Sequence, residues 1–389
     1  MSVFNVAEML ARAERETGLS DWGGDEFREP FAILVNAINE EAQLTEQGLT
    51  RTRIHLDNTL AYRLRLVNDR KTRPEIARQE ISKPLFMSGM GRAGTSFLNS
   101  MIASDPENLA PLHWQMWCPS PPPNDPAIDH SAEVERCRYL LNMQGMLSAD
   151  VMEKHAYGVF NAEEDVTIHE FSFLSGAFMA WWDTPSYFQH LYSCDYTPAY
   201  RMLKQVLQAM QVGVPVKRWV LKSPDHMAHI DALFNVFPDA RMVMNHRDPS
   251  KVMPSVLSLL AALRRLFGNK PLELDRKFAL GFMEVVAAGL EHVIALRRDP
   301  ETNRRFVDIS YLDLERDPLS QVEKVYAHMG RELSDTARNK IKDYVADNRK
   351  GKFGKHRYRL SDYGLRQEEV HERFQFYFKQ FDIPREAGA

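Results

Sequence analysis

Apolar residues recur at helical spacing through roughly the first eighty positions, separated by polar ones. This periodicity predicts helices over Val6 to Glu16 and Phe27 to Glu41, and a longer one near Thr50 to Asp69. The pattern then changes. Pro84 to Leu98, PLFMSGMGRAGTSFL, is a short apolar run, a glycine-rich stretch and a second apolar run. That order predicts a buried strand, a tight loop and the start of a helix. Trp219 to Leu221, Arg241 to Asn245 and Arg305 to Ser310 read as further strands, the first two buried and parallel. Helical spacing returns around Ser320 to Met329 and Arg366 to Phe381. Alternating strands and helices predict an α/β fold of three layers, a central parallel sheet with helices added around it. The proline-rich stretch Cys118 to Pro126, CPSPPPNDP, cannot continue a helix and predicts a rigid connector.

The glycine stretch has the chemistry of a phosphate cradle. Gly89, Gly91 and Gly94 admit positive φ values and allow backbone N–H groups to face an anion at a helix N-terminus. Thr95 and Ser96 add hydroxyl donors. A nucleotide triphosphatase would place lysine after the last glycine; here that position is Thr95, and the cation is Arg92, inside the loop. The loop is P-loop-like, and it suggests phosphate binding without ATP hydrolysis. Ligands of open α/β sheets sit beyond the strand C-termini. Lys222 and Arg247 each follow an apolar run and fall at such points.

Three further stretches occur in order: RWVLKSPDH at 218 to 226, FPDARMVMNHRDPSKVMPS at 237 to 255, and RKGKFGKHRY at 349 to 358. With these, the chain resembles the sulfotransferases that use 3′-phosphoadenosine-5′-phosphosulfate (PAPS), in particular the bacterial sulfotransferase family 3 type. The resemblance runs from the N-terminal helices to the last aromatic helix. It implies that Gly91, Arg92, Ala93, Gly94, Thr95 and Ser96 surround the 5′-phosphosulfate, and that Arg247 and Ser255 hold the 3′-phosphate. It further implies that Arg349, Lys350, Gly351, Lys352 and Phe353, followed by Gly354, close over the nucleotide, with His356 and Tyr358 in the same basic, aromatic loop. Two separate anionic ends require two separate donor clusters, which Arg92, Arg247, Arg349 and Lys350 are able to supply.

Transfer of a sulfuryl group needs in-line positioning, charge stabilisation on the leaving phosphate and a base for the acceptor's proton. Arg92 and Lys222 are the candidates for the charge. Cytosolic relatives carry a base in a strand-end KTH, whereas this strand end reads Lys222, Ser223, Pro224, Asp225, His226, with the histidine two residues further on. His226 and Glu164, from the acidic cluster Glu163 to Asp165, are the two candidate bases. The chain departs from the family pattern at Gly91, where proline is common, and at Gln115, where glutamate is common after the tryptophan.

The 389 residues allow one elaborated domain over 1–389, with a helical preface over 1–80 and the nucleotide-binding core and acceptor-site helices over 81–389. A net charge of −4 leaves no overall nucleic-acid footprint, so anion binding must be local. Cys118, Cys137 and Cys194 form no paired spacing, which points away from disulfides and zinc and toward a reducing cytoplasm. No segment reads as a bilayer span. The aromatic stretch Val151 to Tyr200 and the apolar stretch Leu257 to Phe267 are expected to wall or cover an apolar or aromatic acceptor, such as a phenol, sterol or lipid alcohol. The expected partners are therefore a small hydroxyl acceptor and PAPS as co-substrate, without a metal, in a chain that is monomeric or a homodimer. Two rivals stand: a P-loop kinase, although Met253 replaces the asparagine that a kinase HRD would require, and a nucleotide-binding protein without turnover.

Overall fold

The computed structural model describes residues 3–215, 217–268, 275–348 and 359–386. The chain divides into two compact units, one built from 1–81, 111–217 and 262–272, the other from 82–110, 218–261 and 273–389.

The first unit is helical. Val6–Thr17 starts at Asn5, whose side chain accepts the Glu8 N–H, and ends on Gly18 in the left-handed region. Arg28–Glu41 and the 27-residue Glu46–Thr72 follow, the latter capped by Thr45. The three predicted preface helices are thus present, the third longer by about a turn at each end. Their apolar faces meet the aromatic stretch: Phe31 lies 4.5 Å from Phe173 between ring centroids, and the Trp182 indole donates to Thr52 at 2.9 Å. Most rings of that stretch, among them Phe173, Phe178, Trp181, Trp182 and Tyr187, are core. Phe267, in the stretch expected to form a lid, is also buried, against Trp181.

The second unit holds the sheet: β1 (Leu85–Gly89), β2 (Asn108–Leu109), β3 (Arg218–Lys222), β4 (Arg241–His246) and β5 (Phe306–Ser310). All pairs are parallel and the spatial order is β2-β3-β1-β4-β5. Leu85, Met87, Val220, Val243 and Ile309 face one helical layer with Leu98, Ile102, Val325 and Ile341. Phe86 points the other way, onto Phe237 and His226. Burial on both faces explains why these strands are short continuous apolar runs.

Because β1 lies between β3 and β4, the loop that follows it emerges where the strand order reverses, the usual ligand crevice of open α/β sheets. Register fixes the height of each group: Met87 is level with Lys222, and Gly89 with Asn245. Gly89 has φ +130°, and a Cβ there would sit 2.4 Å from the Asn245 carbonyl oxygen. Gly89→Ala is therefore expected to destabilise the protein by about 3 kcal/mol, read as a lower urea midpoint; an unchanged midpoint would contradict this β1–β4 spacing.

By length and composition alone, the helix Arg276–Leu296 is long and apolar enough to cross a membrane. Glu284 and Glu291 interrupt the apolar run along the chain, which hides it. In the fold both glutamates pair with Arg373, at 2.9 and 2.8 Å, while Met283, Leu290 and Val293 are buried. The predicted helix over Arg366 to Phe381 is two, Gln367–Arg373 and Gln375–Phe381, broken at Phe374.

Candidate active site

Residues 90–94 form the turn between β1 and the helix Thr95–Ala103. Arg92 sits at φ +67°, a left-handed value uncommon for a side-chain-bearing residue, and Gly94 caps the helix at φ +84°. A Cβ on Gly94 would approach Leu314 to 2.9 Å, so glycine serves both the turn and the close packing. The Asn245 side chain, buried at the end of β4, donates to the Ala93 carbonyl at 3.3 Å and ties the turn to the sheet. Ala93 and Thr95 are buried, and Ser96 is exposed on the first helical turn.

The cations expected from the strand ends meet this turn. The Lys222 ammonium, with its residue only 2% exposed, donates to Ser96 Oγ at 3.0 Å. Arg92 Nε donates to Ser255 Oγ at 3.0 Å, and Arg247 Nη1 donates to the Arg92 carbonyl at 3.1 Å. Ser255 lies in the second turn of Pro249–Arg264, which follows Arg247 directly and turns its hydroxyl back toward the loop. Arg92, Ser255 and Arg247 are thus bonded together, and Lys222 is bonded to Ser96 on the helix that continues the same turn. Three side chains carrying positive charge converge there beside backbone donors, an arrangement suited to an extended polyanion.

His226 lies in the 3-10 turn Pro224–Ala228 and is fully buried, its ring edge-on to Phe86 at 5.0 Å. The turn is fixed by Ser223, whose N–H donates to the Met87 carbonyl and whose hydroxyl accepts from Asp225 N–H. Glu164 belongs to the helical unit, half-buried just before the short helix Val166–His169. Its neighbour Glu163 accepts from His155 at 3.0 Å. Gln115, the other departure, is a buried clamp that accepts the Leu112 N–H and donates to Asn124. Arg349, Lys350, Gly351, Lys352 and His356 lie outside the described residues.

Several contacts at this site cannot be read from the sequence. Tyr311, which opens the YLDL stretch, places its ring 3.7 Å from the Arg247 guanidinium carbon. Burial, helped by its hydrogen bond to Glu315, pushes this phenol up to about 12, so it stays neutral. Glu386 pairs with Arg247 through Nε at 3.0 Å and Nη2 at 3.3 Å. Asp248 is buried and accepts from the backbone of Ser250 and Glu386, with His371 Nε2 at 3.1 Å. His246 contacts the Tyr377 hydroxyl and Asp308, at 2.9 and 2.8 Å. Burial lowers the His246 pKa against the pull of that carboxylate; burial alone would raise Asp308, but Arg297 and His246 outweigh it and hold the acid well below the usual range.

Comparisons with known proteins bear on the family and the fold. Among curated proteins, the omega-hydroxy-beta-dihydromenaquinone-9 sulfotransferases Stf3 of Mycobacterium tuberculosis and Mycobacterium bovis are each 33% identical over 137 residues, which is 34% of this chain and 33% of theirs. The match therefore spans about a third of the length of these relatives. Sulfotransferase STF1 of M. tuberculosis is 31% identical with a TM-score of 0.78, covering 96% of this chain and 99% of that one. Sulfotransferase STF9 of Mycobacterium avium is 27% identical with a TM-score of 0.86, covering 98% of both. The pattern of the sulfotransferase family matches residues 84–335, from the start of β1 to beyond β5. The P-loop-like parallel sheet accords with that match, and this chain belongs to the sulfotransferase family.

Proposed function

We propose that the chain transfers the sulfuryl group of PAPS to a hydroxyl of a small, apolar or aromatic acceptor. The observation that carries this reading is the convergence of Arg92, Ser96, Lys222, Arg247 and Ser255 around the β1 loop. The donor set fits a nucleotide with two anionic ends: Gly91 to Ser96 with Lys222 for the 5′ end, Arg247 with Ser255 for the 3′-phosphate. Arg349 to Lys352 and His356 complete the assignment by family pattern. When bound, PAPS supplies an activated sulfuryl group on a phosphate leaving group.

The residues' roles follow from charge. Lys222 and Arg92 oppose the negative charge that grows on the 5′-phosphate as its bond to sulfur breaks and the acceptor oxygen bonds to sulfur. The hydroxyl proton leaves to a base, for which His226 ranks ahead of Glu164; because His226 is fully buried against Phe86, its side chain has to move before an acceptor hydroxyl reaches it. The apolar acceptor class is supported by the Stf3 relatives, whose named substrate is a hydroxylated menaquinone. We assign the reaction to the cytoplasm, whose reducing environment suits the unpaired thiols Cys118, Cys137 and Cys194.

The rival kinase reading needs the HRD aspartate at a substrate hydroxyl. Here Asp248 is 1% exposed and engaged by Ser250, His371 and Glu386. Calorimetric titration separates the readings. 3′-Phosphoadenosine-5′-phosphate (PAP) should bind in the presence of EDTA at least about a hundredfold more tightly than ATP with magnesium, since each charge-assisted phosphate contact adds about 1.5–3 kcal/mol. Preference for ATP with magnesium would overturn the assignment, and tight PAP binding without turnover on any hydroxyl acceptor would leave a binding protein.

A further inference from the structure

Arg247 is not waiting with its donors open. Its Nη1 donates to the Arg92 carbonyl and its face lies on Tyr311, and the edge formed by Nε and Nη2 is a bidentate anion site. The Glu386 carboxylate takes both of those donors, at 3.0 and 3.3 Å. A phosphate bound in the bidentate manner would need the same edge, so the two anions exclude each other there. The pair is four-fifths buried on both sides, at 20% and 17% side-chain exposure, and is therefore only partly screened by water.

The backbone that delivers Glu386 is held independently of its carboxylate. The Glu386 N–H donates to Asp248 at 2.8 Å, and Asp248 is held in turn by His371. Just upstream, Tyr377 bonds to His246 and Phe381 stacks on the same imidazole at 4.2 Å. All three residues of the His246-Arg247-Asp248 motif are thus engaged by residues from 371–386. If the carboxylate rotates off Arg247, the Asp248 contact keeps it within reach to return.

We propose that Glu386 is an internal competitor for the 3′-phosphate of the nucleotide, occupying Arg247 between turnovers and weakening retention of the spent product PAP. The proposal rests on the reading of Arg247 as the 3′-phosphate ligand. Its consequence is specific to that phosphate: adenosine-5′-phosphate (AMP), which lacks it, leaves the Arg247–Glu386 pair in place and does not meet the competitor.

The test is calorimetry with PAP and AMP on the full chain, together with stopped-flow release of PAP. Glu386→Gln should tighten PAP binding about tenfold, mostly as slower release, and change AMP binding by less than about twofold. Glu386→Ala should act in the same direction, which guards against a hydrogen bond from the new amide. In an Arg247→Ala background, Glu386→Gln should alter PAP binding by less than about twofold. Unchanged or weaker PAP binding by Glu386→Gln, with Arg247→Ala weakening PAP far more than AMP, would overturn the competitor and leave the phosphate site standing. Equal loss of PAP and AMP binding in Arg247→Ala would instead remove the phosphate site itself.

Discussion

Arg247→Ala is expected to weaken PAP binding by about a hundredfold and AMP binding by less than about threefold, as measured by calorimetry. The asymmetry follows from position. Arg247 stands immediately beyond β4, and its contact to the phosphate loop is a single hydrogen bond to the Arg92 carbonyl. A 5′-phosphate would be held mainly by the loop, by Ser96 and by Lys222. Loss of Arg247 removes the fork and its charge from the 3′ end, while Asp248 keeps its bonds to Ser250, His371 and the Glu386 N–H. Arg247→Lys should restore only part of the affinity, since an ammonium keeps the charge but not the bidentate edge or the stacking on Tyr311. Equal weakening of both nucleotides would show that Arg247 acts through the loop rather than on the 3′-phosphate.

The parts of this site that are legible in the sequence are those whose chemistry and backbone conformation are local. Gly89, Gly94 and the apolar run before them specify strand, turn and helix within fifteen residues, and the positions of Lys222 and Arg247 follow from the ends of their own strands. Ser255 is recoverable because a helix starting at Pro249 carries it back toward the loop. Parallel neighbours, each buried on both faces, make the strands visible as short apolar runs, whereas the two-residue β2 has too little pattern to be seen.

What the sequence hides are relations between distant segments. Glu386 is separated from Arg247 by 139 positions, and no local pattern marks its carboxylate as the partner of that guanidinium. Asp248 resembles a kinase aspartate by motif, but its surroundings come from His371 and Glu386 and turn it into an anchor. Tyr311 is visible as part of YLDL, but its contact with Arg247 depends on β5 lying next to β4. The apolar helix Arg276–Leu296 shows the same limitation from the other side: Arg373 neutralises two of its glutamates, and nothing near them in the chain announces it.

Lys222→Met is expected to lower kcat for sulfuryl transfer by about a thousandfold while changing the KM for PAPS by less than about threefold. Methionine retains much of the side-chain volume within the 2%-exposed site, so the substitution removes charge more than packing. The ammonium is held by Ser96 at the first turn of the loop helix, beside the backbone donors expected to face the 5′-phosphate. In the bound donor, the oxygen bridging phosphorus and sulfur carries little charge; as the bond to sulfur breaks, that oxygen becomes part of a phosphate of higher charge. A buried ammonium therefore interacts more strongly with the transition state and with the product than with the donor. Two measurements follow from this difference. Single-turnover rates should fall by the full factor of about a thousand, close to 4 kcal/mol, and PAP affinity should fall about tenfold, more than PAPS affinity does. A loss of PAPS affinity as large as the loss of rate would instead make Lys222 a ground-state ligand, and Arg92, fixed in its left-handed conformation beside Ser255, would then be left as the group opposing the developing charge.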